Sequence, residues 1–175
     1  MPPHYPWYAE VSGDALKQGD ILRNCPVFRP PENLASTASP SSEFTCENRD
    51  VIILSQTCDL EQSKLSDVLL CLVWDQKNTP PDHFLAKKGH MENARQGRFP
   101  AIHLLAACEL EGLAFDVTIV DFRSVYSLPV PFVKEFSTKA GKRCRLLPPY
   151  REHLSQAFAR FFMRVGLPID IPSLK

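Results

Sequence analysis

The stretch VIILSQTCDLE, residues 51–61, indicates how the rest of the chain folds around it. Its opening run of aliphatic residues is typical of a buried strand. The chain then turns polar, and Asp59 followed three residues later by Gln62 fits a short helix with Asp59 as its N-cap. Cys58 and Asp59 lie side by side at this change, so the end of the strand is also a candidate site.

Similar apolar segments recur on both sides of this stretch, and the segments between them are mostly not helical. That pattern predicts a small antiparallel barrel of the SH3-like kind or a strongly curved antiparallel sheet. Residues 29–50 are rich in Pro, Ser, Thr and Ala and predict a long mobile loop. Short strands are predicted near residues 20–23, 51–55, 67–74, 102–106, 115–122 and 124–128.

A C-terminal amphipathic helix is predicted over residues 149–165. Pro149 near its start, with Gly166 and Pro168 beyond its end, gives the expected boundaries. The fold class is therefore α+β, mainly β, in a single domain over residues 1–175, with this helix packed on the sheet. One face of the helix collects the apolar residues Leu154, Ala157, Phe158, Phe161, Phe162 and Val165 at helical spacing.

The polar side and the apolar side of this helix each carry a further expectation. Arg160 and Arg164 lie four residues apart on the polar side, where they are placed to contact nucleic acid or to keep the helix in water. Phe161 and Phe162 together widen the apolar stripe. If the sheet does not cover both rings, we expect them to form a homodimer surface.

Composition restricts the classes of function. Twenty basic residues balance twenty acidic ones in the 175-residue chain, so no net charge attracts the protein to nucleic acid. No apolar run approaches the roughly 20 residues that span a membrane, and the N-terminus lacks a signal-peptide pattern. The six cysteines form no Cys-x-x-Cys pair, which favours reduced thiols and a cytoplasmic protein without a zinc ribbon. No membrane contact and no cofactor are expected.

Four segments occur in an order that resembles the MazF/PemK family of bacterial toxins, which are small SH3-like barrels. They are KQGDIL (17–22), RDVIILSQ (49–56), DVLLCLV (67–73) and IHLLAACELEGLAFDVTIVDFRSVYSL (102–128). The resemblance covers about residues 17–130. It implies a cytoplasmic RNA-binding or RNA-cleaving protein of a toxin–antitoxin or defence system, working as a dimer with single-stranded RNA or a cognate protein as partner.

The resemblance also implies site residues. Family members use an Arg beside the second strand, and Arg49 matches that position. They also use a Thr or Ser at the end of the third strand, but this chain has Val73, Trp74 and Asp75 there. RNA cleavage requires a base for the 2′-hydroxyl and a donor for the charge on phosphate. Only the donor is identified, so the endoribonuclease activity implied by the family is left open.

The densest basic cluster of the chain lies in AKKGHMENARQGRFPAIH, residues 86–103. Arg offers a bidentate fork for phosphate and Lys a point charge, so this segment is the candidate nucleic-acid-binding region. The alternative is a solvated loop whose charges only keep it in water. The predicted phosphate ligands are Lys87, Lys88, Arg95 and Arg98.

Cys58 offers a second class of chemistry. A Cys-dependent hydrolase or transferase needs a base near the thiol, and His90 or His103 downstream is the candidate, with Asp59 beside the thiol. The alternative is a small buried residue at the end of a strand. Zinc bound by Cys58, Asp59, His90 and His103 is chemically permissible, but no ligand spacing requires it, so no metal is predicted.

Three hypotheses therefore stand. The first is a MazF/PemK-like protein that binds or cleaves RNA through Arg49 and residues 87–98. The second is a Cys58-dependent enzyme. The third is a non-catalytic interaction module on the same scaffold, which the missing Thr or Ser favours.

Overall fold

The fold contains more strand than helix, and the computed structural model describes residues 5–29 and 45–163. Short helical segments lie between some of the strands in these ranges. The two longer helices are in the C-terminal part of the chain, with one strand between them. Two 3-10 helices, Gln76–Asn78 and Phe84–Ala86, lie between the strand that ends at Asp75 and the helix that begins at His90. The elements are, in chain order, β1 (Tyr8–Val11), β2 (Ile21–Arg29), β3 (Thr45–Ile53), α1 (Thr57–Glu61), β4 (Asp67–Asp75), α2 (His90–Arg95), β5 (Ile102–Leu105), β6 (Thr118–Pro129), α3 (Val130–Ala140), β7 (Arg143–Leu146) and α4 (Tyr150–Phe162).

The strands form two antiparallel sheets. The larger has the order β2-β3-β4-β6-β5, and the smaller pairs β1 with β7. In the centre of the larger sheet, Ile52 of β3 lies opposite Cys71 of β4. The register shifts between Leu22 and Cys25 in β2 and between Cys71 and Leu72 in β4. Such bulges bend a strand and increase its twist, so both curve the sheet.

The two sheets contact each other near both edges of the larger sheet, but the described strands do not close into a barrel. Asp20, directly before β2, forms a β-bridge with Arg145 of β7. On the other side, the Tyr8 hydroxyl of β1 donates a hydrogen bond to the Ala106 carbonyl after β5 at 2.6 Å. The prediction of an α+β fold made mainly of strands is confirmed. Of the two predicted shapes, the described residues form the open antiparallel sheet.

The two long helices cover opposite faces of the larger sheet. Because neighbouring residues of a strand point to opposite faces, Val51 and Ile52 enter different cores. Ile52 packs with Phe122 of β6 and with Leu154 of α4. Val51 packs on the other face with Val133 of α3. The prediction that a C-terminal helix packs on the sheet is confirmed.

The observed C-terminal helix is close to the predicted range of residues 149–165. It begins at Tyr150, with Pro149 as its N-cap, and extends to Phe162. Phe158 and Phe161 pack against the core that contains Leu154. The predictions for Arg164, Val165, Gly166 and Pro168 lie outside the described residues.

The predicted loop of residues 29–50 is too long at both ends. Strand β2 continues to Arg29, and β3 already begins at Thr45, where the two residues pair. The sequence of this segment predicted a loop because the first half of β3 is mostly polar and contains no buried residue, with Thr45, Cys46, Asn48 and Arg49 exposed. Only residues 30–44 remain of the predicted loop, and they lie outside the described residues.

Three further boundaries differ from the sequence prediction. Asp59 is not the N-cap of α1, because the helix starts earlier and its N-cap is Gln56. The predicted strands at residues 115–122 and 124–128 are one strand, β6, which pairs with β4 across the bulge at Cys71. Strands β1 and β7 and helix α3 were not predicted.

Candidate functional site

Arg49 lies at the edge of a groove of about 460 Å³ on the larger sheet, called here the Arg49 groove. Strands β2, β3 and β4 form its floor and the 3-10 segments after β4 form one wall. Val73 and Trp74, where the family resemblance places a hydroxyl residue, line the same groove. Its polar lining includes Asn24, Asn48, Arg49, Asn78 and His83.

The bulge in β2 shapes one end of this groove. Asn24 lies within the bulge with φ of 52°, a left-handed conformation that Asn adopts more readily than most residues. The Asn24 N–H donates to Asp50 Oδ1 at 2.8 Å, which fixes the bulge against β3. Asp50 Oδ2 also accepts from Arg23 Nη1 at 2.5 Å. The carboxylate of Asp50 is therefore occupied by neighbours from β2.

Arg49 is the one Arg or Lys side chain in the described lining of the groove. Its side chain is 45% exposed, and Nε and Nη2 both donate to Glu47 Oε2, at 2.9 and 2.5 Å. Nη1 has no partner among the described residues. A guanidinium presents five donors in a fixed fork, so Arg49 can contact an anion while still paired with Glu47.

His83 is a groove residue that the sequence analysis missed. It lies in the wall formed after β4, with its ring edge-on to Trp74 at 5.6 Å between centroids. Its Nδ1 accepts the Leu85 N–H at 3.3 Å, which assigns the proton of the neutral ring to Nε2. His83 and Arg49 are far apart in the sequence and no local motif contains both. They lie in one groove because the register of the sheet brings their segments together.

The second carboxylate of the groove is also neutralised. Asp121 is 8% exposed on its side chain and accepts from Arg123 Nε at 2.8 Å and Nη2 at 2.7 Å. This contact raises the pKa of Arg123. The Arg123 guanidinium lies 5.4 Å from the Phe84 ring centre, a cation–π contact. With Asp50 and Asp121 both paired to arginines, the accessible groups of the groove are donors and amides.

The predicted nucleic-acid-binding segment is only partly free to bind. Arg95 Nε and Nη2 donate to both oxygens of Glu92, at 2.7 and 2.6 Å. This pair lowers the pKa of Glu92 to about 2 and raises that of Arg95. Arg98 donates to an amide oxygen of the same segment at 3.2 Å. Lys87 and Lys88 are exposed and have no ion pair among the described residues.

The two histidines predicted as bases lie in different surroundings. His90 begins α2 and packs against Phe99, with ring centroids 5.4 Å apart. Its buried Nδ1 has no hydrogen-bond partner within residues 5–29 and 45–163. His103 on β5 stacks on Phe122 at 6.2 Å. Burial, followed by the charge of His153, lowers the pKa of His103 to about 4.

Cys58 is exposed on α1, in a pocket of about 410 Å³ whose described lining contains no histidine. Its Sγ lies 3.8 Å from Asp59 Oδ1, and Asp59 is 3.8 Å from the ammonium group of Lys64. The structure therefore does not bring Cys58 together with His90 or His103. In the described part of the chain, no group of three His, Cys, Asp or Glu side chains is arranged to hold a metal ion.

The Cys58 pocket brings together two of the four segments that resemble the MazF/PemK family. Gln18 of KQGDIL and Gln56 of RDVIILSQ both line it. The Gln18 N–H donates to Thr57 Oγ1 at 3.2 Å, and its side-chain nitrogen donates to the Leu54 carbonyl at 2.8 Å. Gln56 Nε2 donates to Ser155 Oγ of α4 at 3.0 Å. These contacts attach α1 and α4 to the start of β2, which is a structural role.

None of the helices in residues 5–29 and 45–163 has the length and apolar character needed to cross a bilayer. Sequence comparison finds no protein-family model and no curated protein that matches this chain. The resemblance to the MazF/PemK family stays a prediction. The geometry of the grooves is the basis of the functional argument.

Proposed function

We propose that the protein binds single-stranded RNA in the Arg49 groove. The observation that carries the proposal is the presence of Arg49, His83 and Trp74 in one groove whose carboxylates are paired internally. Arg49 Nη1 and the N–H of His83 supply donors for phosphate. Trp74 supplies an aromatic surface for an unpaired base, a contact that is tolerant of sequence.

The amides of the groove suit the same ligand. Asn24 and Asn48 lie on adjacent strands, and Asn78 lies in the wall beside His83. Each amide offers both donors and acceptors, which match the exposed edges of unstacked bases. The likeness of the chain to a family of RNA-acting toxins supports this substrate class, because Arg49 occupies the position of that family's arginine.

Binding is favoured over cleavage by the chemistry of the groove. A 2′-hydroxyl must lose a proton before its oxygen attacks phosphate. His83 Nδ1 accepts a backbone N–H, so Nε2 of the neutral ring carries a proton and acts as a donor. Asp50 and Asp121, the carboxylates of this groove, are each held by an arginine. The described lining therefore offers two phosphate donors and no free base.

The proposal is tested by fluorescence anisotropy with a labelled, unstructured RNA oligonucleotide at several salt concentrations. Arg49→Ala is expected to weaken binding and to reduce the slope of log K against log salt by about 0.7, the value for one single-strand phosphate contact. Arg49→Lys keeps the charge without the fork and is expected to fall between wild type and Arg49→Ala.

Lys139→Ala is the matched control, because it also removes one positive charge but lies on α3, paired with Glu135. Its affinity for RNA should equal that of wild type. Equal affinities for wild type, Arg49→Ala and Lys139→Ala would exclude the Arg49 groove as the RNA site. The RNA recovered from each sample is run on a denaturing gel and is expected to be intact.

A further inference from the structure

A second groove lies on the other side of the α2 segment, between β5 and α4. Its volume of about 640 Å³ exceeds that of the Arg49 groove. The side chains that line it include Arg95, His103, His153 and Arg160, and the described lining contains no Asp or Glu. The chain has equal numbers of acidic and basic residues, whereas the ionisable side chains in the described lining of this groove are all basic. This difference favours an anionic ligand.

One wall of this groove is a face of α4. His153, Gln156 and Arg160 follow one another at spacings of three and four residues, so they lie on one side of the helix. Arg160 makes no ion pair or hydrogen bond with any described residue, and neither does the side chain of Gln156. The face therefore carries a free guanidinium and a free amide one turn apart.

The opposite wall comes from β5 and from the turn after α2. His103 projects from β5, and Gln96 and Phe99 belong to the turn. Arg95 forms an ion pair with Glu92, so it does not provide an unpaired positive charge to the groove. Phe99 packs on the small core beneath the α2 segment and gives the groove an apolar surface.

The N-terminal end of the groove is aromatic. Trp7 lines it and stacks on Tyr150 at the start of α4, with ring centroids 3.6 Å apart and planes within 7°. The stack fixes the indole at the mouth of the groove. Aromatic groups, amides and a free guanidinium in one groove match a ligand that carries both a flat base and a phosphate.

We propose that this groove, called here the Arg160 groove, binds a ribonucleoside 5′-monophosphate. Arg160 holds the phosphate, and Trp7 and Phe99 contact the base. Gln156 hydrogen-bonds to the edge of the base, and Gln96 does so through its carbonyl oxygen, because Gln96 Nε2 already donates to Glu92 Oε1 at 2.7 Å. The volume lies within the range of about 300–1,000 Å³ that small-molecule sites occupy. The proposal is independent of RNA binding in the Arg49 groove, because the two grooves share no lining residue.

His103 contributes a neutral ring to this site. Its depressed pKa keeps the imidazole uncharged at neutral pH, so it can hydrogen-bond to a ribose hydroxyl without competing for the phosphate. The neighbouring charge that acts on it comes from His153 on α4. Both histidines line the groove, from opposite walls.

Isothermal titration calorimetry on the full chain tests the proposal with AMP, GMP, CMP and UMP, and with the four matching nucleosides and inorganic phosphate as partial ligands. At least one monophosphate is expected to bind, and its nucleoside or phosphate alone should bind at least about tenfold more weakly. Arg160→Ala is expected to weaken the monophosphate by about tenfold or more, the usual effect of losing a charge-assisted hydrogen bond.

Lys139→Ala is the control, since it removes one positive charge from α3, outside the described lining of both grooves, and should leave monophosphate affinity unchanged. Arg160 is exposed at the helix surface, so its replacement should not unfold the protein, which circular dichroism verifies. The proposal is overturned if no monophosphate binds, if phosphate alone binds as tightly, or if Arg160→Ala binds like wild type. Loss of RNA binding in Arg49→Ala with unchanged monophosphate binding separates the two proposals.

Discussion

His103 shows how the surroundings of a single residue determine its chemistry. Its place in a basic, histidine-containing segment suggested a catalytic base for Cys58. In the fold its ring stacks on Phe122 in the core between β5 and α4, and Cys58 lies in another pocket. Burial favours the neutral imidazole, because the charged form loses its hydration.

The pKa of His103 predicts a pH dependence of stability. The folded-state pKa of about 4 is below the unfolded value of 6.5, so the unfolded chain binds more protons between these pH values. The free energy of unfolding should therefore fall as the pH is lowered from 6.5 to 4, by at most about 3 kcal/mol. Urea denaturation at pH 7 and pH 4.5 measures the decrease.

His103→Gln provides the comparison. It keeps a polar, neutral side chain, so the variant should lose less stability than wild type over the same pH interval. Carboxylates that titrate in this interval contribute to both proteins and cancel in the difference. An equal loss in the two proteins would show that His103 is not protonated on unfolding in this range.

Helices α3 and α4 show what a sequence pattern does and does not reveal about an element. The apolar residues of α4 recur at helical spacing, and Leu154 and Phe158 pack on the core as that spacing predicts. Helix α3 was missed because Val130, Phe132 and Val133 resemble a strand in composition. Tertiary packing of Val133 beneath the sheet determines its helical state, since propensity is a weak preference.

Leu154 anchors α4 and gives a prediction at this scale. Its side chain is fully buried between the helix and the sheet. Leu154→Ala is expected to lower the free energy of unfolding by about 2–5 kcal/mol, through lost apolar burial and the cavity left behind. Phe162→Ala is the control from the same helix. Phe162 is 63% exposed, so its loss should cost about 1 kcal/mol or less.

Chemical denaturation of both variants gives the comparison. A cost for Leu154→Ala no greater than that for Phe162→Ala would contradict the packing of α4 on the sheet.

At the scale of the whole molecule, Asp20 joins the two sheets. Its carboxylate is fully buried and accepts from Arg143 Nε at 2.9 Å and from Arg145 Nε at 2.5 Å, both on β7. Arg143 also donates to the carbonyls of Gly13 and Ala15, which fixes the segment between β1 and β2. The Gly-Asp-Ile sequence, interpreted first as a family signature, therefore has a clear architectural role.

Asp20→Asn is expected to lower the free energy of unfolding by about 3–5 kcal/mol, because Arg143 would remain buried without its counter-charge. Urea denaturation measures this loss. Asp67→Asn makes the same chemical change at the exposed first residue of β4 and should leave the stability unchanged. Equal stabilities of the two variants would contradict the role assigned to Asp20.

The tertiary arrangement of the strands explains which parts of the candidate site could be predicted from the sequence. Periodicity identifies the faces of strands and helices, so the sheet and α4 were predicted from local patterns. Arg49 was chosen through the family resemblance, from its place beside the second predicted strand, and it lies within β3. His83 was not predicted, because its proximity to Arg49 depends on the register of β3 and β4 and on two bulges. The Arg160 groove likewise joins segments distant in sequence.

The edges of the larger sheet have a consequence for association between copies of the chain. Pro26 lies in the edge strand β2, where it cannot donate a ladder hydrogen bond, and the bulge at Asn24 interrupts the same strand. The opposite edge, β5, is only four residues long. Short, kinked or proline-bearing edges are poor templates for intermolecular strand addition. These two edges therefore disfavour the addition of a strand from a second copy of the chain to the larger sheet.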